Sequence, residues 1–534
     1  MFKRRFIVCS LAVFALLVPT TSWTLLASSS EPAASTGPDP VSGVLGLVNT
    51  LVGGLLGSPT TVVAAPAGPP VTPPAQICGN ASILNGPATA PAGAVTVRPG
   101  QSLFSVTQAS PAGTTFWLAA GVHDLAANGM YGQVQPKDGD TYIGAPGAVF
   151  DGKSVNDYAF TGRAVDVTIR YLTIRNFVAP GDEGVVNHDF GTGWVVEHNT
   201  VTTNGGAGVM VGTGNRLAYN CLADNSQYGF QVFGANVAID HNEVARNNTY
   251  DYEKKIPGCG CSGGSKFWGA GPARVTANYV HDNNGVGFWA DTNTVGVLFD
   301  GNYISGNSAH GIVYETSYNA RITNNTFLRN AIAEGQTFQS RGDPFPIGAI
   351  YISESGGDAR VNGGTYADME ISGNSFRDNW AGVVLWENAD RYCGSPANSS
   401  TGTCTLVNPK ANLATCVAGT INAQPYMSDC RWKTQNVTIQ NNDFAMDKAA
   451  IGCTTGLCGL QGLFSNYGTV PAWSPYKGRV VQDAITFHQN IRFSANRYVG
   501  DWRFTAYEAV GKVLTLGQWQ AAPYNQDAAA TISP

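Results

Sequence analysis

The stretch VLFDGNYISGN (residues 297–307), followed by ARITNNTFLRN (residues 320–330), decides how the rest of the chain is read. Each carries a short β-rich run, an Asn, a second run, and another Asn five positions after the first. The same pairing recurs at Asn199/Asn204, Asn220/Asn225, Asn242/Asn247, Asn278/Asn283, Asn302/Asn307, Asn325/Asn330 and Asn374/Asn379, and once with an Asp, at Asn442/Asp447. Where no insertion intervenes, the first Asn returns after 21 to 24 residues. A repeat of that length is one supersecondary unit that must stack on copies of itself to bury its apolar face. With strands in the unit, the stack is a parallel β-helix. Asn suits the corners because it tolerates the left-handed conformation, and stacked amides can bond from coil to coil.

Outward from the repeats, the chain divides into three parts. Lys3, Arg4 and Arg5 precede the apolar run FIVCSLAVFALLV (residues 6–18), so residues 1–29 are expected to be a secretory signal, too short for a membrane span. Residues 30–75 are rich in Pro, Ala, Gly, Ser and Thr and are expected to form a linker, with VSGVLGLVNTLVGGLLG as a weakly ordered tether segment. Residues 76–534 are expected to form one β-helix domain. QSLFSVTQASPAG reads as a short helix and TTFWLAAGVHDL as a first strand, together capping the first coil. The segment VLTLGQWQAAPYNQD is expected to close the other end. Insertions at about 248–265, 331–347 and 389–433 interrupt the count, and long connections in a short-turn solenoid commonly wall functional sites.

Removal of the signal leaves ten cysteines in an exported, extracellular chain, so disulfides are expected. Cys259 and Cys261 share one insertion, Cys393, Cys404, Cys416 and Cys430 another, and Cys453 and Cys458 suit a small local loop. No spacing supports a zinc site, and no metal is assigned. The net charge is −6, about −9 once the three signal cations are lost, and no basic stripe occurs. That balance disfavours nucleic acid and anionic membranes as partners. A polyanionic substrate would need a local basic groove. Capped ends make a monomer the simplest expectation.

Alternation along the strands after the Asn pairs picks out candidate site residues. In VGFWAD, burying Val286, Phe288 and Ala290 turns Trp289 and Asp291 outward. In GIVYE, Glu315 turns outward; in GGSKFWG, Lys266 and Trp268 do. Glu354 and Glu387 end AIYISE and GVVLWE. Coils stack at about 4.8 Å, so Lys266, Asp291 and Glu315 are expected in one column, with Trp268 and Trp289 beside it and Glu354 near. Acids stacked so closely repel unless a cation or shared proton relieves them. Aromatic rings beside paired carboxylates suit a sugar. Of the flanking imidazoles, His188 is the candidate acid/base partner, whereas His241, His281 and His310 suit corners. The bland alternative is a solvated acidic face with Lys266 as its counter-ion.

The Asn cassettes, the stretch HDNNGVGFWADTNTVGVLFDGNYISGNSAHGIVYE, the block GAIYISES…GVVLWENADRYCGSPANS and the tail GQWQAAPYNQD together resemble secreted bacterial right-handed parallel β-helix proteins of the pectate-lyase-like superfamily, over residues 80–530. The resemblance implies the fold, but it spans polysaccharide lyases, glycoside hydrolases, uronate epimerases and non-catalytic surface proteins. Neither the calcium-and-arginine site of classical pectate lyases nor the clustered aspartates of polygalacturonases is matched. The first expectation is therefore a glycoside hydrolase acting on a polysaccharide or oligosaccharide, with Glu315 as acid/base and Asp291 as nucleophile or stabiliser. Neighbouring coils give the separation of about 5 Å found in retaining enzymes; Asp291 with Glu354 would suit an inverting one. Lys266, Trp268, Trp289, His188 and Glu387 would position the sugar. In the alternative, a polysaccharide lyase or uronate epimerase, Lys266 is the base and Asp291, Glu315 and Glu354 hold Ca²⁺. A third expectation, a glycan-binding or envelope protein, requires an uncovered column and no perturbed carboxyl.

Overall fold

One coil shows how the repeat folds. Val286–Asp291 runs into Val297–Asp300, Gly301 turns the chain with φ +63°, Tyr303–Ser305 follows, and Ile312–Glu315 begins the next coil directly beside Val286–Asp291. The computed structural model describes residues 72–130, 132–255, 262–361, 365–397, 404–454, 456–506 and 513–534. Over these, repetition of the coil builds two 13-stranded sheets and one 11-stranded sheet. The strands stack in parallel register, apart from one antiparallel pair, Phe504↔Leu514, at the C-terminal end. The fold is a right-handed parallel β-helix.

Inward-facing residues fill the bore. Val297, Phe299, Ile304, Ile312 and Tyr314 are buried, and Phe327, Phe376, Phe444 and Tyr498 stack with centroids 4.8, 4.4 and 5.2 Å apart. Two Asn ladders hold the corners. In the first, Asn199, Asn220, Asn242, Asn278, Asn302, Asn325, Asn374, Asn442 and Asn496 each offer Oδ1 to the coil before, and Asp527 ends the series. The second runs from Asn204 through Asn225, Asn247, Asn283, Asn307 and Asn330 to Asn379. Each interior amide also donates to a backbone carbonyl of the preceding coil, so these buried groups are satisfied. The Asp of the eighth pair does not join: Asp447 is exposed and accepts from Ala449 N, whereas Asp527 accepts at the end of the first ladder.

The ends are capped as expected, with one correction. Leu103–Ala109 is helical, with Leu103 and Thr107 buried, and Ser102 caps its N-terminus. TTFWLAAGVHDL is two strands, Thr115–Leu118 and Gly121–Asp124, because Ala119 and Ala120 form a corner, and Val95–Val97 precedes them in the first sheet. At the other end Leu516–Gln520 starts from a capping box at Thr515, and Trp519 packs 5.5 Å from Phe504.

Disulfides join Cys78–Cys221, Cys393–Cys404, Cys416–Cys430 and Cys453–Cys458. The first fastens the segment before the helix to the flank of the second sheet. Two close the long insertion on itself. Cys259, Cys261, the expected signal and all but the last four residues of the expected linker lie outside the described residues.

Candidate functional site

The third sheet carries Gly263–Trp268, Val286–Asp291, Ile312–Glu315, Gly348–Ser353, Ala381–Glu387 and Leu460–Ser465 side by side. Its register sets one outward column: Trp268 pairs with Asp291, Glu315 with Ser353, Ser353 with Trp386, and Trp386 with Phe464. Asp291 and Glu315 complete it on adjacent coils, one step beyond the pairing of Ala290 with Tyr314. Lys266 was expected in this column and is not. It is level with Trp289, two residues back on the same face. Its long side chain closes the gap diagonally, putting Nζ 2.6 Å from Asp291 Oδ2 and 3.8 Å from the centre of the Trp289 ring.

The outward residues are not solvated, although alternation alone points them at water. Lys266, Asp291, Glu315, Glu354, Glu387 and Trp289 are all buried; Trp268 is half-buried. The cover comes from two insertions. Phe345 lies 5.8 Å from Tyr351 and from Trp386. The 389–433 insertion supplies Arg391 and Arg431 from its two ends, where Tyr392 bridges to Arg431 and Cys393 N donates to Cys430 O at 2.7 Å. Arg391 pairs with Glu315 and also reaches Glu354 Oε2 at 3.1 Å. Arg431 pairs with Glu387, which also accepts from Gln489 Nε2 at 2.7 Å and Thr434 N at 3.1 Å.

Five groups thus form one cluster: Lys266, Asp291, Glu315, Glu354 and Arg391. Asp291 Oδ1 accepts from Thr292 N at 2.7 Å and Thr292 Oγ1 at 2.8 Å, with Thr316 Oγ1 at 3.4 Å. Glu354 stands one residue past the column at φ +46°, level with the corner residues Thr292 and Thr316, and accepts from Ser353 Oγ at 2.6 Å and Asn388 N at 2.8 Å. Three carboxyls face two cations, so full ionisation leaves an excess negative charge away from water. Burial pushes Glu315 above its usual range; Arg391 pulls it back, and Asp291 and Glu354 push it further up. Burial opposes the Arg391 charge, but Glu315 and Glu354 outweigh it and hold the guanidinium protonated.

Other candidates fall elsewhere. Glu387 belongs to the separate Arg431 cluster. His188 follows Gly184–Val186, the third-sheet edge strand, three coils or about 14 Å from Lys266, and stacks on Tyr158 at 4.0 Å. His310 is buried, and burial lowers it to about 4. His241 stacks on Tyr219 at an exposed corner. His281 sits between Glu243 and Asp282, where Glu243 also accepts from Ile77 N at 2.6 Å and Cys78 N at 2.9 Å. Sequence reasoning missed Arg391. Its signal was indirect: a stacked acid column demands a cation, and Arg391 lies two residues before a cysteine at the start of an insertion.

The family model for the right-handed beta helix region matches residues 184–366. The chain matches no curated protein. Among solved structures, it is similar to the catalytic unit of the thermostable GH87 alpha-1,3-glucanase from Streptomyces thermodiastaticus strain HF3-3, at 13% identity over 84% of this chain and 70% of that one, with a TM-score of 0.50. It is also similar to the A-module of the mannuronan C-5 epimerase AlgE4 from Azotobacter vinelandii, at 14% identity over 65% and 91%, with a TM-score of 0.41. A third match is a mannuronic acid specific polysaccharide family 6 lyase from human gut microbiota, at 11% identity over 82% and 91%, with a TM-score of 0.43. At these identities the likeness concerns the fold.

Proposed function

We propose that the protein is a secreted carbohydrate-active enzyme, a glycoside hydrolase using Glu315 as general acid and Asp291 as nucleophile or stabiliser of the oxocarbenium ion. One observation carries this reading: in a buried cluster with one carboxyl in excess of its cations, Glu315 is raised while its neighbour Asp291 is bonded to Lys266. A carboxyl raised by burial beside one bonded to a lysine is a division that suits an acid and a nucleophile. Arg391 bonds Glu315 through Oε1, so Oε2 would carry the proton to the leaving oxygen. Placement on adjacent coils favours retention. The alpha-1,3-glucanase among the structural neighbours is consistent with this class and does not define it.

The lyase or epimerase alternative is less well supported. A lysine whose Nζ is engaged by a carboxylate and covered by an indole face is not placed to reach a sugar proton. Arg391 already fills the position between Glu315 and Glu354 that a calcium ion would take. Among the described residues, no group of three or more His, Cys, Asp or Glu side chains is arranged to hold a metal. The binding-protein alternative needs an open column and an unperturbed acid, and here the column is covered and Glu315 is shifted.

The test is a polysaccharide panel read in two channels, new reducing ends and absorbance from unsaturated uronate products, with and without a chelator. Reducing ends alone support the hydrolase. Glu315→Gln and Asp291→Asn should each lower kcat by about 10²–10⁴-fold without loss of folding. Wild-type turnover in both variants would remove them from catalysis, and chelator-sensitive absorbance would transfer the assignment to a lyase.

A further inference from the structure

Arg391 reaches two carboxylates from a turn that follows Ala381–Glu387, and that turn is fastened to the next coil. Glu387 pairs with Ser465, so Asn388 and Asn466 leave adjacent coils at the same level. The backbone amides of the turn are all engaged. Asn388 N donates to Glu354 Oε1 at 2.8 Å, Ala389 N to Asn466 Oδ1 at 2.6 Å, Asp390 N to Asn388 Oδ1 at 2.9 Å and Arg391 N to Asn388 O at 3.0 Å. The Asp390 side chain makes the remaining links. Its Oδ1 accepts from Thr469 N at 2.8 Å and Val470 N at 2.9 Å, and its Oδ2 accepts from Asn466 Nδ2 and Thr469 Oγ1, both at 3.2 Å. The receiving loop is itself closed, since Gly468 and Gly478 exchange backbone bonds of 3.0 and 2.9 Å.

Asp390 is buried, and these four side-chain bonds all come from neutral donors. Burying a carboxylate is more costly than burying an amide of the same shape. The geometry at Oδ2 accounts for it. The bond from Ala389 N to Asn466 Oδ1 orients the Asn466 amide and aims its Nδ2 at Asp390. An amide nitrogen in place of Oδ2 would face that nitrogen, so asparagine would keep the Oδ1 pair and lose this bond. The links serve a side chain that takes no part in them. Arg391 Nη1 meets Glu315 and, at 3.1 Å, Glu354 Oε2. A long, flexible side chain serves two carboxylates at once only from a backbone that is held in place.

We infer that Asp390 is a positioning residue, which fastens the 388–391 turn to residues 466–470 and thereby holds Arg391 Nη1 between Glu315 and Glu354. The inference deepens the hydrolase reading above and rests on it, because the group so controlled is the proposed acid. Glu315 is faced by Arg391 from the turn, Asp291 from Val286–Asp291, Lys266 from Gly263–Trp268, and Tyr351 and Glu354 from the coil that follows. Burial raises Glu315, and of the charges around it Arg391 acts most strongly, drawing it back down. Loss of the Asp390 links frees Arg391 from the carboxylates and leaves Glu315 a weaker acid, with Arg391 itself unaltered.

The test is a carboxyl titration by NMR of the full chain, its glutamates labelled with carbon-13 at the side-chain carboxyl, with the Glu315 resonance identified by its loss in Glu315→Gln. Its midpoint is compared in wild type, Asp390→Ala, Asp390→Asn, Arg391→Met and the Asp390→Ala/Arg391→Met pair. The midpoint should rise by about one pH unit or more in Asp390→Ala, a tenfold weaker acid, and by less in Asp390→Asn. In the double variant it should rise no further than in Arg391→Met alone, because both changes act on one contact. An unmoved midpoint in Asp390→Ala (or in Asp390→Asn, should the alanine variant not fold), an unmoved midpoint in Arg391→Met, or additive rises in the double variant would each overturn the assignment. Where a polymer is turned over, the alkaline limb of kcat should move with the midpoint. The shift without turnover of any polymer would keep Asp390 as a positioning residue and remove the hydrolase. Turnover lost in Glu315→Gln, with a midpoint indifferent to Asp390, would do the reverse.

Discussion

Two kinds of polar column run through the described coils of this helix, and they solve burial differently. In the corner ladders, each Asn donates to the next Asn and accepts from the one before, so neutrality and hydrogen bonding come with the repeat itself. On the third sheet, Asp291 and Glu315 stack without that reciprocity, because carboxylates only accept. Their compensation comes from outside the repeat: Lys266 from one coil earlier and Arg391 from an insertion closed by disulfides. A ladder of amides is complete wherever the repeat continues. A column of acids depends on what is laid over it. The contrast marks the acid column as the place where something other than stability was selected.

The largest effect that tests this contrast is removal of the covering cation. Arg391→Met leaves Glu315 and Glu354 buried together, which should cost about 3–5 kcal/mol of stability at neutral pH, measured by denaturant unfolding. An unpaired buried carboxyl takes up a proton on folding. The deficit should therefore grow as pH rises past the ordinary glutamate value of 4.5 and shrink below it. A deficit that is the same at pH 4 and pH 7 would mean that Arg391 acts by packing rather than by charge. Asn302→Ala, in the middle of the first ladder, should cost less, about 1–3 kcal/mol. It orphans Asn278 N and removes the bonds to Val275 O and Asn325 Oδ1. Because no titrating group is involved, its cost should not change over the same pH range.

The two columns also differ in how far they could be read from the sequence. Asn spacing reports the ladders directly, since each member contacts its own copy one repeat away. It misled only at Asp447, whose side chain turns to its own loop and accepts from Ala449 N. For the acid column, alternation correctly put Asp291 and Glu315 on one outward face. It put Lys266 in the wrong row because alternation places Lys266 and Trp268 on the same face without saying which of the two is level with Asp291. Burial of the column was not legible either, since it depends on how residues 331–347 and 389–433 fold back.

A third cluster lies between the two extremes and gives the smallest effect. Glu243 accepts from Ile77 N and Cys78 N, holding the N-terminal segment on the second sheet, and His281 bridges Glu243 to Asp282 with its ring stacked 3.9 Å from Tyr279. Burial disfavours the charged forms of both groups, but the pairing outweighs it. His281 is raised above 6.5 by Glu243 and Asp282, and Glu243 is lowered below 4.5 by His281 and the two backbone donors. Arg246 is the other cation near these acids, through its Coulombic interaction with Glu243 and Asp282. The contribution of His281 is full below 6.5 and fades as pH rises through its raised value; that of Glu243 is full above 4.5 and fades as pH falls through its lowered value. Protection of the Ile77 and Cys78 amides, corrected for intrinsic exchange, should therefore be greatest between those limits and decline on both sides. His281→Gln should abolish the alkaline decline and keep the acid one, with little change in global unfolding because Cys78–Cys221 still holds the segment. An unchanged alkaline limb in that variant would mean that the strap, like the Asn ladders, is held by neutral bonds alone, and that charge-dependent burial in this protein is confined to the third sheet.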